Sequence, residues 1–305
     1  MIVCFDIGGT TMKGGRARSV EEIEVLERVP TPTRHLDAFV AVLARAVADC
    51  PVPPRALAAA IPGIVDVDTG LGRVANVPCL TGIPIRERLE AALGLPVFIA
   101  NDADCFALAE VAVGAGRGHR VVFGVILGTG VGGGLVIDGR LINAEGGFGG
   151  EWGHGPVAAR LAGEPPVEIP RYACGCGLTG CLDATVSARG MERLHRDLNG
   201  AAATSLEIVA AWRAGDPAAR RTIEIWLEIA APPLAVLVNA TAADILPVGG
   251  GLGGSAELIA ALDGAVRALT LRRFTRPLVV PALCRVEPGL VGAAALGLAA
   301  AGPGA

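Results

Sequence analysis

Aromatic residues make up only 4% of the 305-residue chain, with a single tyrosine, and charged residues only 18%. Its cores must be built from aliphatic side chains and alanine, and a hydrophobic content of 52% supplies them, which excludes a mainly disordered chain. A basic excess is absent: 26 Lys plus Arg against 30 Asp plus Glu leaves a net charge of −4, so no electrostatic footprint for nucleic acid is present. Lysine is almost missing, since Lys13 stands alone beside 25 arginines. A phosphate-binding sequence of the form G-x-x-x-x-G-K-[ST] does not occur, nor does a long Pro/Ser linker or a short-period repeat. Mean hydropathy is +0.53, yet no convincing uninterrupted apolar run approaches the roughly 20 residues of a membrane span. Residues 121–137 carry six glycines and 229–243 contain Pro232 and Pro233. The N-terminus reaches Asp6 without a basic start or apolar h-region, so a cytoplasmic protein without a membrane segment is expected.

The length suggests about two domains at roughly 150 residues each. Two stretches open alike, with a strand running into a glycine-rich turn. In the first, residues 2–7 form an apolar run ending at Gly8-Gly9-Thr10-Thr11, and the alternating stretch 21–29 is expected to pair with it as a hairpin. Helices are expected over 36–49, 85–93 and 103–113, the last two stopped by Gly94 and Gly114, and strands over 56–61 and 97–100. The second begins with strands at 121–127 and 135–137, then helices at 187–198, 205–214 and 219–238, a strand at 244–248, and helices at 255–269 and 290–300. Strand and helix alternate, which favours an α/β fold.

Backbone N–H groups unobstructed by side chains make anion-binding concavities, so glycine turns after strands are candidate phosphate sites. Three occur, at 6–11, 127–134 and 248–254, and each taken singly reads equally well as a structural turn. Gly128, Gly130 and Gly133 match G-x-G-x-x-G but continue into a strand rather than a helix, and Gly249, Gly251 and Gly254 match it without an acidic residue about 20 positions on. Dinucleotide binding is therefore the weaker reading. Lys13 beside the first turn is either a phosphate contact or a solvated strand residue. His195-Arg196-Asp197-Leu198 imitates a kinase catalytic loop, but Ala202 stands where asparagine is needed.

Asp102 sits where the chain turns from strand 97–100 into a helix, where ligands bind in α/β sheets, although position alone favours a helix-capping role. Of the eight cysteines, Cys4, Cys50, Cys79, Cys105 and Cys284 lie scattered in apolar runs and read as small buried hydrophobes. Cys174, Cys176 and Cys181 cluster, and with His154 they give the pattern H-x19-C-x-C-x4-C. Three thiols and one imidazole form a closed tetrahedral set for structural zinc, with no open position for a metal-bound water.

In combination, DIGGT at 6–10, PGIV at 62–65, ANVP at 75–78, NDADCFALAE at 101–110, LGTGVGGG at 127–134, GEWGH at 150–154, CGCGLTGC at 174–181 and VGGGL at 248–252 make the whole chain resemble the ROK family of bacterial sugar kinases, a branch of the actin-like ATPases. VPTP at 29–32, ANVP and the x19 spacer are similar to the family's N-acetylglucosamine kinase branch. The resemblance implies two RNase H-like lobes with a cleft between them, at 1–118 and 119–288, with the helix at 289–305 returning to the first. It further implies that Asp6, Gly8, Gly9, Thr10, Thr11 and Lys13, together with Gly128, Thr129, Gly130 and Gly132, serve ATP phosphates and Mg2+, and that Gly249, Gly250 and Gly251 lie near the adenosine. Asp102 would be the general base toward the 6-hydroxyl of N-acetyl-D-glucosamine, while Gly63, Asn76, Asn101, Glu151, His154 and Asp183 would hold the sugar. A homodimer is also implied.

Two positions depart from the family pattern: Thr11 stands where lysine is common, and Asp183 where glutamate is usual. Glucose, fructose and N-acetylmannosamine are alternative substrates on the same scaffold. A sugar-sensing regulator is a remote alternative, because no DNA-reading domain is expected ahead of the first strand and the net charge is −4.

Overall fold

In the computed structural model, which describes residues 1–142 and 149–302, the chain divides into two compact units. The first comprises Met1–Gly118, Gly134–Gly149 and Cys284–Ala305, and the second His119–Gly133 and Gly150–Leu283.

The first unit runs through β1 (Ile2–Ile7), β2 (Thr11–Ala17), β3 (Ile23–Val25), β4 (Val29–Pro30), α1 (Leu36–Ala48), β5 (Leu57–Ile61), β6 (Gly63–Val65), β7 (Gly72–Val74), α2 (Ile85–Leu93), β8 (Val97–Asn101) and α3 (Asp102–Val113). Its sheet has the order β3-β2-β1-β5-β8, with β1 parallel to β5 and β5 parallel to β8. The apolar sequence of β1 up to Phe5 and of all of β5 follows from burial of both faces. Val3, Phe5 and Ile7 join Phe39 and Leu43 of α1 and Ile85 and Leu89 of α2 in one core. On the other face Ile2 meets Gly297 of the C-terminal helix.

The hairpin partner of β1 is β2, not the expected stretch 21–29, which contributes only β3 and β4, both paired to β2. Gly14 and Gly15 conceal this strand in the sequence. They stand opposite Phe5 and Cys4, and a Cβ on Gly14 would come within 3.0 Å of the Phe5 ring. The bulky cross-strand neighbours thus occupy the space that side chains on β2 would take.

The chain continues through β9 (Val121–Leu127), β10 (Val131–Ile137), β11 (Arg140–Leu141), β12 (Leu161–Ala162), β13 (Val167–Glu168), α4 (Leu182–Val186), α5 (Ala188–Asn199), α6 (Ser205–Arg213), α7 (Pro217–Thr241), β14 (Leu246–Gly249), α8 (Gly250–Gly253), α9 (Ala256–Leu269), β15 (Val279–Pro281) and α10 (Pro288–Ala300). A second sheet has the order β11-β10-β9-β14-β15, and the boundary between units falls inside β10. β10 starts four residues before the expected 135 because Gly133 lies against the Phe123 ring, again a glycine beneath an aromatic side chain. The third glycine turn holds the one-turn helix α8. At 25 residues, α7 is longer than expected and passes through Pro232 and Pro233; by length and composition it could span a membrane, yet half of its most apolar window is buried within the unit. Trp226, at its centre, is fully buried and donates to Val186 O at 2.9 Å.

α10 belongs to the first unit and packs on α3, β1 and β5. Gly292 sits where the two helices cross most closely, and any side chain there would collide with the Cys105 backbone. Of the expected segment 289–305, residues 303–305 lie outside the described residues. Glu110, at the end of NDADCFALAE, is fully buried and accepts from Ala115 N and Cys284 N, both at 2.7 Å. Its carboxylate fixes the end of α3 to the start of the C-terminal segment.

Candidate active site

The first unit gathers one set of the expected residues at the carboxyl ends of its parallel strands. Between β1 and β2 the turn closes through Gly8 N to Thr11 O at 2.9 Å, and Thr31 secures it by donating from Oγ1 to Gly8 O at 2.7 Å. Asn76, in left-handed backbone at φ 61, lies so near that a Cβ on Gly9 would come within 2.6 Å of the Asn76 Cβ. At the end of β8, Asn101 donates from Nδ2 to Gly63 O at 3.1 Å and accepts from Ala103 N on Oδ1 at 2.8 Å. Asn101 is therefore the N-cap of α3. Asp102 is the helix's first residue, exposed, with Oδ1 2.9 Å from the same Ala103 N–H. Gly63 lies on β6, where a side chain would strike the backbone of Arg73 and Val74 on β7; its lack of a Cβ already has this structural cause.

The second unit gathers the other set. Gly128 N donates to Gly130 O at 3.0 Å, and Ala188 N at the start of α5 donates to Gly128 O at 2.8 Å. A Cβ on Gly128 would lie 3.6 Å from Gly250 Cα, so the 127–134 and 248–254 turns pack together, with Gly250 at φ 81 and open space around Gly251. Trp152 Nε1 donates to Gly132 O at 2.9 Å. Asp183 accepts from Val131 N on Oδ1 at 2.8 Å, and its own N–H donates to Gly153 O at 2.8 Å. This residue ties the start of β10 to the segment that carries Glu151 and His154.

The ligand atoms of His154, Cys174, Cys176 and Cys181 all lie within 4.8 Å of one another. The sulfurs of Cys176 and Cys181 are 3.7 Å apart, and Cys174 Sγ is 3.6 Å from His154 Nδ1. Tetrahedral zinc, with bonds of about 2.3 Å to sulfur and 2.0–2.1 Å to nitrogen, requires edges of about 3.8 and 3.6 Å. The donor set therefore fits zinc in chemistry, and these two edges match it in spacing. Burial pushes the Cys174 thiol up to about 12, so its ionised form needs a cation beside it. With Nδ1 among the thiols, His154 turns Nε2 toward Glu151, 3.7 Å from Oε2. Burial raises the Glu151 carboxyl above its usual range, His154 opposes that shift, and the nearby Asp183 adds to it.

Residue pattern alone did not reveal Thr31, Glu110 or Glu287. Thr31 lies within VPTP, where a hydroxyl directly after a strand carries no signal of its own. Glu287 is paired with Lys13 at 2.9 Å across the length of the chain. His195 is buried and bonded through Nδ1 to Thr222 Oγ1 at 2.8 Å, so the kinase-loop imitation is a packed helix face.

The ROK family matches residues 2–300. Over 296 residues the chain is 38% identical to the N-acetylgalactosamine kinase AgaK of Shewanella sp. (strain ANA-3), covering 96% of this chain and 95% of that protein. Over 298 residues it is 36% identical to the N-acetyl-D-glucosamine kinase of Pasteurella multocida (strain Pm70), covering 96% and 97%. Among solved structures, the ROK hexokinase from Thermus thermophilus superposes with a TM-score of 0.81 at 33% identity, covering 97% of both chains.

Proposed function

The chain belongs to the ROK family, and from that premise we propose that it is an ATP-dependent sugar kinase acting on the 6-hydroxyl of an N-acetylhexosamine, with N-acetyl-D-glucosamine as first choice. The observation that carries most weight is the presentation of Asp102: an exposed carboxylate at the end of β8, with Asn101 already serving as the N-cap. Asp102 accepts the proton of the sugar hydroxyl as that hydroxyl attacks the γ-phosphate. The turns at 8–11 and 128–132 offer backbone N–H groups to the phosphates, and 249–251 lies beside the second of them. Asp6 fits a magnesium ion, which commonly takes only one or two protein carboxylates together with phosphate oxygens; its Oδ2 already faces a cation, the Lys13 ammonium, at 3.3 Å. Magnesium, when bound, neutralises charge on the transferring phosphoryl group. His154, Cys174, Cys176 and Cys181 would hold zinc, which would fix the tautomer of His154 and leave its Nε2 and Glu151 to orient sugar hydroxyls. We place the protein in the cytoplasm.

N-acetylgalactosamine is the second reading, favoured by the 38% identical relative named for that sugar. The test is ADP release from Mg·ATP with N-acetylglucosamine, N-acetylgalactosamine, N-acetylmannosamine, glucose and fructose. A preference of at least tenfold in kcat/KM for one of the first two is expected. Silence on all five overturns the kinase reading, and preference for glucose or fructose overturns the N-acetylhexosamine assignment.

Asp183 gives a sharper expectation. Its two oxygens face Val131 N at 2.8 Å and Cys174 Sγ at 3.6 Å, so the short side chain is drawn toward the β10 turn and the thiols. Asp183→Glu lengthens the reach by one methylene, and a change of about threefold to tenfold in KM for sugar is expected, with kcat within about twofold. An unchanged KM removes Asp183 from the sugar site.

A further inference from the structure

The chain's only lysine lies inside an ion row within the first unit. Lys13 stands opposite Asp6 in the β1–β2 register, and its Nζ lies 3.3 Å from Asp6 Oδ2 and 2.9 Å from Glu287 Oε2. Glu287 Oε1 pairs in turn with Arg28. Four charges therefore alternate in sign from Asp6 to Arg28. The side chains of Lys13, Asp6 and Glu287 retain only 27%, 22% and 17% exposure, so water screens these pairs incompletely. Glu287 has a left-handed backbone at φ 48, uncommon outside glycine, just before α10 begins at Pro288. The first turn of α10 also touches Asp6: a Cβ on Gly289 would lie 2.7 Å from the Asp6 Cγ. Glu287 raises the affinity of Lys13 for its proton, against the effect of burial. Burial works against the ionised form of Glu287, but Lys13 and Arg28 hold its carboxyl below the usual range.

We infer that Lys13 is a resident counter-cation of Asp6, and that Glu287 is the positioning residue that takes over Lys13 when Asp6 turns to a divalent cation. This rests on the reading of Asp6 as the carboxylate beside the nucleotide's magnesium. An ammonium and a divalent cation repel each other across a shared carboxylate oxygen, so Lys13 must withdraw for Asp6 to serve the metal. Glu287 is already its nearer partner. Arg28 occupies the other oxygen of Glu287, so this second carboxylate remains a lysine acceptor rather than a rival metal ligand. The exchange makes metal binding weaker than Asp6 alone would allow, and it makes two substitutions act in opposite directions. Removing the ammonium frees Asp6, whereas neutralising Glu287 leaves Lys13 with Asp6 as its only carboxylate partner in the row. A lysine aimed at phosphate would behave otherwise, because its loss would only weaken the metal–nucleotide complex.

The test uses Mn2+ as a paramagnetic substitute for Mg2+, titrated into the intact protein with a non-hydrolysable imido analogue of ATP and followed by electron paramagnetic resonance. Lys13→Met is expected to tighten Mn2+ binding about threefold to tenfold, Lys13→Arg to remain within about twofold of wild type, and Glu287→Gln to weaken it about threefold to tenfold. Weaker or unchanged binding in Lys13→Met overturns the inference. If Glu287→Gln does not fold, the contrast between Lys13→Met and Lys13→Arg decides it. Wild-type protein that binds no Mn2+–nucleotide complex overturns the assignment of Asp6 itself, a result distinct from variants that bind like wild type.

Discussion

Asp102→Asn is expected to lower kcat by about 10²–10⁴-fold while leaving the dissociation constant for sugar within about threefold of wild type. The amide matches the carboxylate in size but cannot accept a proton from the attacking hydroxyl. A drop of this kind would be ambiguous if Asp102 also held α3 in place, because capping and catalysis would then fail together. The structure separates the two roles. Asn101 is the N-cap, through Oδ1 and the Ala103 N–H at 2.8 Å, and an asparagine at 102 keeps an oxygen for the same N–H. The melting temperature of Asp102→Asn should therefore stay close to wild type. Asn101→Ala is the control: it removes the cap and the bond to Gly63 O, and a loss of about 1 kcal/mol of stability is expected. Turnover near wild type in Asp102→Asn, measured by ADP release with isothermal titration of the sugar alongside, would eliminate Asp102 as the base.

The choice between cap and base at position 102 shows what residue pattern can and cannot decide. An acidic residue at a strand-to-helix junction satisfies both descriptions, and only the hydrogen bonds of its neighbour assign the cap. The elements themselves were legible wherever an apolar run ended in a residue with a backbone reason to end it. The helix 85–93 is found with the expected bounds because Gly94 takes the left-handed conformation, φ 69, that closes it. The strand 121–127 is found as expected because it is apolar throughout and is followed by a glycine turn. β2 and the first half of β10 were hidden for a related reason: Gly14 lies under Phe5 and Gly133 under Phe123, so the bulk that marks a strand is carried there by the neighbouring strand.

The same contrast holds for the functional groups. Three cysteines within eight positions form a local pattern, and the structure brings them to one point with His154. The ion row from Asp6 to Arg28 joins Glu287 to Arg28, 259 positions away, and to the still more distant Lys13, and nothing in the local sequence of Lys13 or Glu287 connects them. Lys13 accordingly looked like a phosphate contact or a solvated strand residue; its observed partners are two carboxylates. Asp183 is intermediate. Its place after the last thiol was legible, but its bond to Val131 N depends on two distant segments meeting.

The second large effect is expected from loss of the zinc proposed at the Cys3His set. Purified protein should contain one equivalent of zinc by elemental analysis, and Cys176→Ser should lose most of it. Cys176 is the informative ligand because it is exposed, so the substitution removes a thiolate without opening a cavity, whereas Cys181 is buried. Structural zinc sites contribute about 10–16 kcal/mol of binding free energy in small domains, far more than the hydrogen bonds that otherwise hold this segment. Those bonds are scattered through short loops, among them Cys174 N to Leu178 O, Gly180 N to Tyr172 O and Ile169 N to Arg160 O, each at 2.8 Å, and a two-residue pairing of β12 with β13. Chelation should therefore release backbone protection against hydrogen exchange across residues 154–181 while the first unit keeps its own. His154 should lose its fixed tautomer and its approach to Glu151 with it, so the affinity for sugar is expected to fall at least tenfold, seen first in KM. The sheet built on β9 and β14 does not pass through the thiols and should survive. Protein that is free of metal yet retains wild-type KM and exchange protection over 154–181 would show that the four side chains converge without needing an ion.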